Sequence, residues 1–239
     1  MAPITARLSD LAADMLFTSV CVSEVTELVP RFVKVSLSGE AFTRAKWTPG
    51  DKLQLRPRRG SLAMRAYTPI NWDREEGVTD VIGFRHGDGP AVRWFENATI
   101  GTDCEIFGPS RSLDLSDTAP GTIFIGDETS IGLAYALSHV NPAAQYIYEA
   151  ADPVALSDVL TTLGLTAATD ILAKSADRNE LLHQIVGAAE AGKSSTFDLV
   201  VTGDAATVNA VRRGLRRWPH VTPRIKARAY WAAGHSGLS

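Results

Sequence analysis

The apolar residues of this 239-residue chain change period near Pro120-Gly121, and that change restricts the fold more than any other feature. Before it, the chain reads as short strands. Residues 16–25 and 31–38 are rich in β-branched and aromatic types, and the second run alternates polar and apolar residues as a half-buried strand does. Residues 51–56 alternate again, between the turn signals Pro49-Gly50 and Pro57. Further strands are expected near 64–70, 78–84 and 103–107, with one short helix from about Pro90 to Asn97, opened by a proline suited to a first helical turn. Several short strands at regular spacing imply an antiparallel sandwich or barrel. After the change, strands at 122–126, 145–149, 170–174, 197–202 and 224–230 alternate with helices at 128–139, 154–163, 178–190 and 205–217. That alternation implies βαβ units and a parallel sheet. The expected architecture is β followed by α/β: an antiparallel β-barrel domain over 1–117 and a Rossmann-like parallel α/β domain over 118–239.

Composition narrows the class. Apolar residues make up 45% of the chain, enough for a sizeable core, and the net charge of −3 argues against a nucleic-acid partner. No apolar run approaches the ~18 residues of a membrane span, so no membrane partner is expected. Met1 to Asp14 lacks the basic and apolar regions of a secretory signal. Cys21 and Cys104 supply neither metal-ligand spacing nor a disulfide framework. A cytoplasmic, monomeric protein without a metal site is the expectation, and the glycosylation-like Asn97-Ala98-Thr99 is read as chance.

Two segments carry chemistry. In Arg65-Ala66-Tyr67-Thr68, Arg65 offers a fixed cation and a bidentate fork for phosphate, and Tyr67 shares its face of a strand. The ring of Tyr67 is able to stack on a flavin, and the Thr68 hydroxyl to donate to a flavin nitrogen. The plainer reading is a strand with one core tyrosine and one surface arginine. In His86-Gly87-Asp88-Gly89-Pro90-Ala91, two glycines permit close backbone approach, and the following helix directs its first amides at an anion such as a pyrophosphate. The plainer reading is a tight turn capping a short helix.

Together with two later segments, these resemble the siderophore-interacting proteins, a family of ferredoxin-reductase-like flavoproteins. That family carries R-x-Y-T, a histidine-glycine segment leading into G-P-A-x-x-W, then G-D-E-T, and Y-W-x-x-G near the end. Here they stand as Arg65 to Thr68, His86 to Trp94, Gly126-Asp127-Glu128-Thr129, and Tyr230-Trp231-Ala232-Ala233-Gly234. Gly203-Asp204, leading into Val208 to Arg217, resembles the family's last helix. The resemblance spans about residues 15 to 234. It implies an FAD cofactor held by the barrel, with Arg65 at its phosphates and Tyr67 and Thr68 at the reacting ring. Ala66, His86, Gly87, Asp88, Gly89, Pro90, Ala91 and Trp231 are implied to line that cofactor. It also implies reduction of a ferric siderophore with electrons from NADPH or NADH, or from ferredoxin in one branch of the family. Iron(II) binds hard oxygen chelators more weakly than iron(III), so reduction releases the metal.

The chain departs from the pattern at Val92, where a small hydroxyl residue is usual, and at Gly132, where proline is common. A nicotinamide nucleotide is expected against Gly126, Asp127, Glu128 and Thr129, although Asp127 itself reads better as a helix N-cap. Glu149, ending the second parallel strand, reads either as the carboxylate for a ribose hydroxyl or as a solvated strand end. For an anionic siderophore, Lys52, Arg56, Arg58 and Arg59 are expected to form a basic lip, joined by Lys226 and Arg228; the alternative is a solvated face. Tyr230 and Trp231 read as covers for flavin or substrate, or as edge-strand aromatics.

One segment misleads. Gly187 to Ser194 matches the P-loop letter for letter, but a P-loop follows a strand and opens a helix. Here a helix precedes and a strand follows, so Gly192 is read as a helix C-cap with Lys193 near the negative helix end. Gly234-His235-Ser236-Gly237 likewise lacks nucleophile-elbow spacing. Two rival functions stand beside ferric reduction: a flavoprotein passing electrons to a protein partner, and a siderophore binder without catalysis.

Overall fold

The structure, a computed structural model, describes residues 17–57, 64–192, 197–217 and 223–234. Readings made on Met1 to Asp14, Arg58, Arg59, Lys193, Ser194 and His235 to Gly237 lie outside these residues.

Seven antiparallel strands make the first sheet: β1 (Thr18–Val29), β2 (Phe32–Ser38), β3 (Lys52–Arg56), β4 (Arg65–Tyr67), β5 (Ile70–Asp73), β6 (Val78–Phe84) and β7 (Asp103–Ser110). Their order is β4-β3-β7-β1-β2-β6-β5. The strand expected across 64–70 is therefore two strands, at opposite edges of the sheet. Pro69 has no N–H to give a ladder, and the chain turns there. Only Thr68 and Pro69 separate β4 from β5. Two residues span less than about 11 Å between the flanking ends, so the edges must approach and the sheet curls on itself. Short helices α1 (Glu40–Arg44) and α2 (Pro90–Asn97) lie between strands. Val35, Leu37, Leu53, Leu55, Val81 and Phe95 fill the curl. A side chain at Gly83 would meet the Phe95 ring at 2.7 Å, so glycine there admits α2 against β6.

Five parallel strands make the second sheet: β8 (Ile123–Gly126), β9 (Gln145–Ala150), β10 (Thr169–Ala173), β11 (Asp198–Asp204) and β12 (Arg224–Trp231), in the order β10-β9-β8-β11-β12. A 3-10 turn (Glu128–Ser130) leads into α3 (Ile131–Val140); α4 (Pro153–Thr162), α5 (Asn179–Ala191) and α6 (Ala205–Leu215) follow. The order in which strands are added switches side between β8 and β11, the place where open α/β sheets bind ligands. Gly192 caps α5, and β11 follows it, so the P-loop-like segment has the reversed context expected of it. On one face of this sheet α5 and α6 pack through Leu181, Ile185, Val208 and Val211. On the other, Leu133 and Leu137 of α3 share a core with Phe32 and Ile70 of the first sheet, so the two sheets are joined by buried apolar surface.

Two of the expected lip cations serve the fold instead. Lys226 donates to the carbonyls of Asp114 (2.5 Å) and Asp117 (2.9 Å), which ties the segment between the sheets to β12. Beside it, Arg224 pairs with Asp198 and Asp117, both at 2.7 Å. Arg56 is 4% exposed. Its Nε donates to Glu105 Oε2 at 2.7 Å, and its guanidinium lies 3.9 Å from the centre of the Phe17 ring. Alternation along β3 puts Arg56 on the face opposite the core residues Leu53 and Leu55, and Phe17 covers it there, so its burial requires a partnered charge.

Removing one partner of such a pair leaves an uncompensated charge. Arg56→Ala should cost about 3–5 kcal/mol in urea unfolding. Arg65→Ala, at a half-buried position of the same sheet, should stay within about 0.5 kcal/mol of the parent.

Candidate functional site

The Thr68-Pro69 corner brings the tip of β4 toward the last strand of the other sheet. Between them lies a cavity of about 360 Å³, lined by Arg65, Ala66, Tyr67 and Thr68 from the first sheet. Ile82, Phe84 and His86 form a second wall. Thr129, Gly132 and Tyr230 to Gly234 form the third. Such a volume is within the range of small-molecule sites. Arg65 and Tyr67, one residue apart on β4, share the half-buried face. The Tyr67 ring meets Phe95 of α2 edge-on, with centroids 5.2 Å apart, so β4 is in contact with the helix that the second motif opens. Burial pushes the Tyr67 phenol well above its ordinary pKa, against the pull of the Arg65 charge, so it stays neutral. Gly132, where a proline was the usual residue, lies against the corner: a Cβ there would stand 3.3 Å from the Thr68 carbonyl.

His86 stacks on Phe84 with centroids 5.2 Å apart. Gly87 to Ala91 follow as the turn into α2 rather than as cavity wall. Gly87 has φ +67°, and at both Gly87 and Gly89 the place of a Cβ is open space. No side chain caps α2. Its first amides are thus free of a side-chain acceptor, a seat of the kind a pyrophosphate takes.

A smaller cavity of about 180 Å³ adjoins the first, sharing Phe84, His86, Thr129 and Trp231 and adding Arg31, Lys174, Ala151 and the acidic Glu128. Lys174 lies 4.3 Å from the centre of the Trp231 ring, and Arg31 4.8 Å from that of Phe84. Phe84 was within reach of sequence reasoning, since it lies two residues before His86 on a strand. Arg31 and Lys174 carry no local signal; tertiary packing alone brings them here.

The Gly126 to Thr129 segment is mostly structural. Asp127 caps the 3-10 turn, accepting from Thr129 N at 2.9 Å and Thr129 Oγ1 at 2.6 Å. Its other oxygen accepts from Trp231 Nε1 at 2.7 Å. Glu128 accepts from Ala151 N at 2.7 Å, closing the turn after β9. Gly126 is buried, and a Cβ there would lie 2.7 Å from Phe124 and Ser130. Of this segment Thr129 reaches the larger cavity.

Glu149 is neither free for a ribose nor solvated. It is 2% exposed, accepts from Thr207 Oγ1 at 2.8 Å, and pairs with Arg178 at 3.5 Å. Arg178 and Lys174 each reach Asp204 Oδ2 at 3.0 Å. The carboxyl ends of β9 and β11 thus hold a charge cluster satisfied within the chain. Of the basic lip, Lys52 and Arg228 stand near one another. The Lys52 pKa is lowered, first by burial and then by the charge of Arg228.

Burial raises the Glu149 pKa above the ordinary carboxylate range, outweighing Thr207, Arg178 and Lys174. An acid raised on folding loses stability as pH rises from its unfolded pKa through its folded one. Glu149→Gln should remove that decline. The difference in melting temperature between variant and parent should grow in the variant's favour from pH 4 upward, then level off; a constant difference would contradict the assignment.

Comparison with known proteins follows the same lines. The family model of the siderophore-interacting FAD-binding domain matches residues 44–113. No curated protein matches the sequence. Among solved structures, the siderophore-interacting protein SipS from Aeromonas hydrophila is similar at 20% identity and TM-score 0.71, covering 92% of each chain. A siderophore utilization protein from T. fusca is similar at 19% identity and TM-score 0.69, covering 94% of this chain and 96% of that one. Phthalate dioxygenase reductase is similar at 16% identity and TM-score 0.65, covering 90% of this chain and 69% of that one. Among the described residues no helix is long and apolar enough to cross a membrane, and no group of three or more His, Cys, Asp or Glu could hold a metal ion. Residues 44–113 thus match the siderophore-interacting FAD-binding domain, within a chain that has the two-domain fold of the ferredoxin-reductase-like flavoproteins.

Proposed function

We propose that this chain is an FAD-dependent oxidoreductase that reduces ferric siderophores and so releases iron(II). The observation that carries this reading is the convergence of Arg65, Tyr67, Thr68, His86 and Trp231, from three separate segments, on one cleft between the sheets. The residues fit the cofactor: an aromatic and hydroxyl-bearing cavity for the ring, open glycines before α2 for the pyrophosphate, and a smaller cavity with aromatic walls and charges of both signs for the far end of the dinucleotide. When bound, FAD would supply the ability to accept an electron pair and pass electrons on singly. Arg65 would bind phosphate through its fork, and Tyr67 would flank the ring as a neutral phenol. Thr68 would present its hydroxyl to a ring nitrogen. His86 and Trp231 would hold the partition between the two cavities and exclude water from it.

Iron arrives as substrate. Each Fe(III) takes one electron, so one NADH or NADPH, giving up a hydride, suffices for two. Lys52 and Arg228 would steer an anionic chelate toward the cleft. Ferredoxin as donor is the second reading, and one observation favours it. Lys174, Arg178, Glu149 and Asp204 are paired with one another at the strand ends where a nicotinamide nucleotide would have to find free charges.

Anaerobic spectroscopy tests the scheme. The FAD-loaded protein should bleach on adding its donor and regain colour on adding a ferric chelate. A donor-reduced protein indifferent to every ferric chelate would favour a protein acceptor instead. Arg65→Ala should weaken FAD binding by about 10- to 100-fold, as loss of charge-assisted hydrogen bonds implies. Replacing both Lys52 and Arg228 by alanine should raise KM for anionic chelates with little change in kcat, the gap closing as salt is added.

A further inference from the structure

Positive charge gathers at one end of the second sheet, against the balance of the chain as a whole. The chain carries 24 Lys and Arg against 27 Asp and Glu. Yet Arg212, Arg213, Arg216 and Arg217, at the end of α6 and in the turn after it, are all exposed. Arg217 keeps to the helical path, its N–H donating to the Gly214 carbonyl at 2.9 Å. At 3.6 residues per turn the four fall within an arc of about 140°, away from the buried Val208, Val211 and Leu215. No Asp or Glu stands between Ala205 and Arg217. Among the described residues no carboxylate forms an ion pair with any of the four. Cations complement the dipole at a helix C-terminus, but only within the last turn. Arg212 and Arg216 stand at i,i+4, as do Arg213 and Arg217, and like charges at that spacing oppose the helix. The cluster suits an anionic partner outside the chain.

An apolar side chain joins it. Arg212 Nη2 donates to the Ala227 carbonyl of the edge strand β12 at 3.5 Å. Because α6 carries the chain back from β11 to the start of the parallel strand β12, it runs against both. Arg216 lies four helical residues beyond Arg212, about 6 Å, and Ile225 two strand residues before Ala227, about 7 Å, so the two come level. Ile225 shares the strand face of Ala227 and Ala229, which pack on the core of α5 and α6, and is itself 41% exposed. Ala227 stands four residues, about 13 Å, before Trp231 at the cleft, and α6 leads away from the cleft from there. An electron carrier seated on the arginines would be remote from the cleft, whereas an extended surface beneath them leaves the cleft open. Guanidinium forks match phosphate.

We propose that the arginine-bearing end of α6, with Ile225, is a peripheral docking surface for a phospholipid membrane of negative charge. Arg212, Arg213, Arg216 and Arg217 take headgroup phosphates, and Ile225 enters the boundary between headgroups and acyl chains. This departs from the sequence expectation of no membrane partner, which rested on the length of apolar runs; peripheral attachment spans nothing and needs no such run. It makes no use of FAD and stands apart from the proposed reaction.

Co-sedimentation of the full chain at low salt, with phosphatidylcholine vesicles made with and without phosphatidylglycerol, tests the surface. The protein should pellet with the anionic vesicles, stay in solution with phosphatidylcholine alone, and be released as salt is added. Arg213→Gln and Arg217→Gln should each weaken vesicle binding about fivefold, the scale of one cation near an anionic surface. Replacing all four arginines by glutamine should abolish binding at a parental melting temperature, and replacing all four by lysine should keep most of it. Ile225→Ser should weaken binding by a factor that salt does not change. Lys46→Gln, which removes an exposed cation beyond α1, should bind as the parent does. A parent that ignores anionic vesicles, or undiminished binding with all four arginines replaced by glutamine, would overturn the docking surface. Arginine-dependent binding to polyglutamate without binding to the vesicles would assign the patch to an acidic protein and overturn the lipid reading.

Discussion

The Asp127 carboxylate ties together the elements that form the cleft. One oxygen caps the 3-10 turn after β8; the other takes the indole N–H of Trp231 at the end of β12. Its shape leaves no room for a side chain at Gly203 on the strand between them. Three strand ends are therefore positioned by one buried acceptor, and α3, which starts from the same cap, lays Gly132 on the Thr68 corner. A carboxylate accepting several N–H and O–H donors loses little on leaving water, because each lone pair is met. This explains how a buried charge can be the organising group of the site.

A second constraint is the corner itself. Because Thr68 and Pro69 alone connect opposite edges of the first sheet, the residues beside them stand where the curled sheet meets the other half of the molecule. Tyr67 packs against the first core and, with Thr68, borders the cleft. Apolar contacts of Phe32 and Ile70 with α3 hold the sheets together, and Lys226 and Arg224 fasten the connecting segment to β12. The cleft is thus supported on both sides by packed elements, as a site needs when it must hold groups at hydrogen-bond distance.

The charged residues show how burial redirects chemistry. Arg56 and Lys52 belong to one strand, yet one is buried beneath Phe17 against Glu105 and the other stands near Arg228. Glu149 ends a strand at the sheet's ligand-binding edge, yet its neighbours are Thr207 and Arg178. In each case the residue type suits a ligand, and its surroundings give it an intramolecular partner instead.

The period of the apolar pattern determined the two sheets, the order of strands and helices after Pro120, and the reversed context that disqualified the P-loop-like segment. Local signals of this kind survive because backbone hydrogen bonding and side-chain alternation act over a few residues. The helix Glu40–Arg44 and the break at Pro69 were harder to read, one being short and the other separating strands that pair elsewhere. The segments Arg65 to Thr68, His86 to Ala91 and Tyr230-Trp231 were legible as motifs. Their meeting in one cleft was not, nor were Arg31 and Lys174 beside it. Those depend on the register of β11 against β12 and on which carboxylate lies within about 3 Å of which donor. Distances of that kind, between residues far apart in the chain, exist only once both sheets have packed.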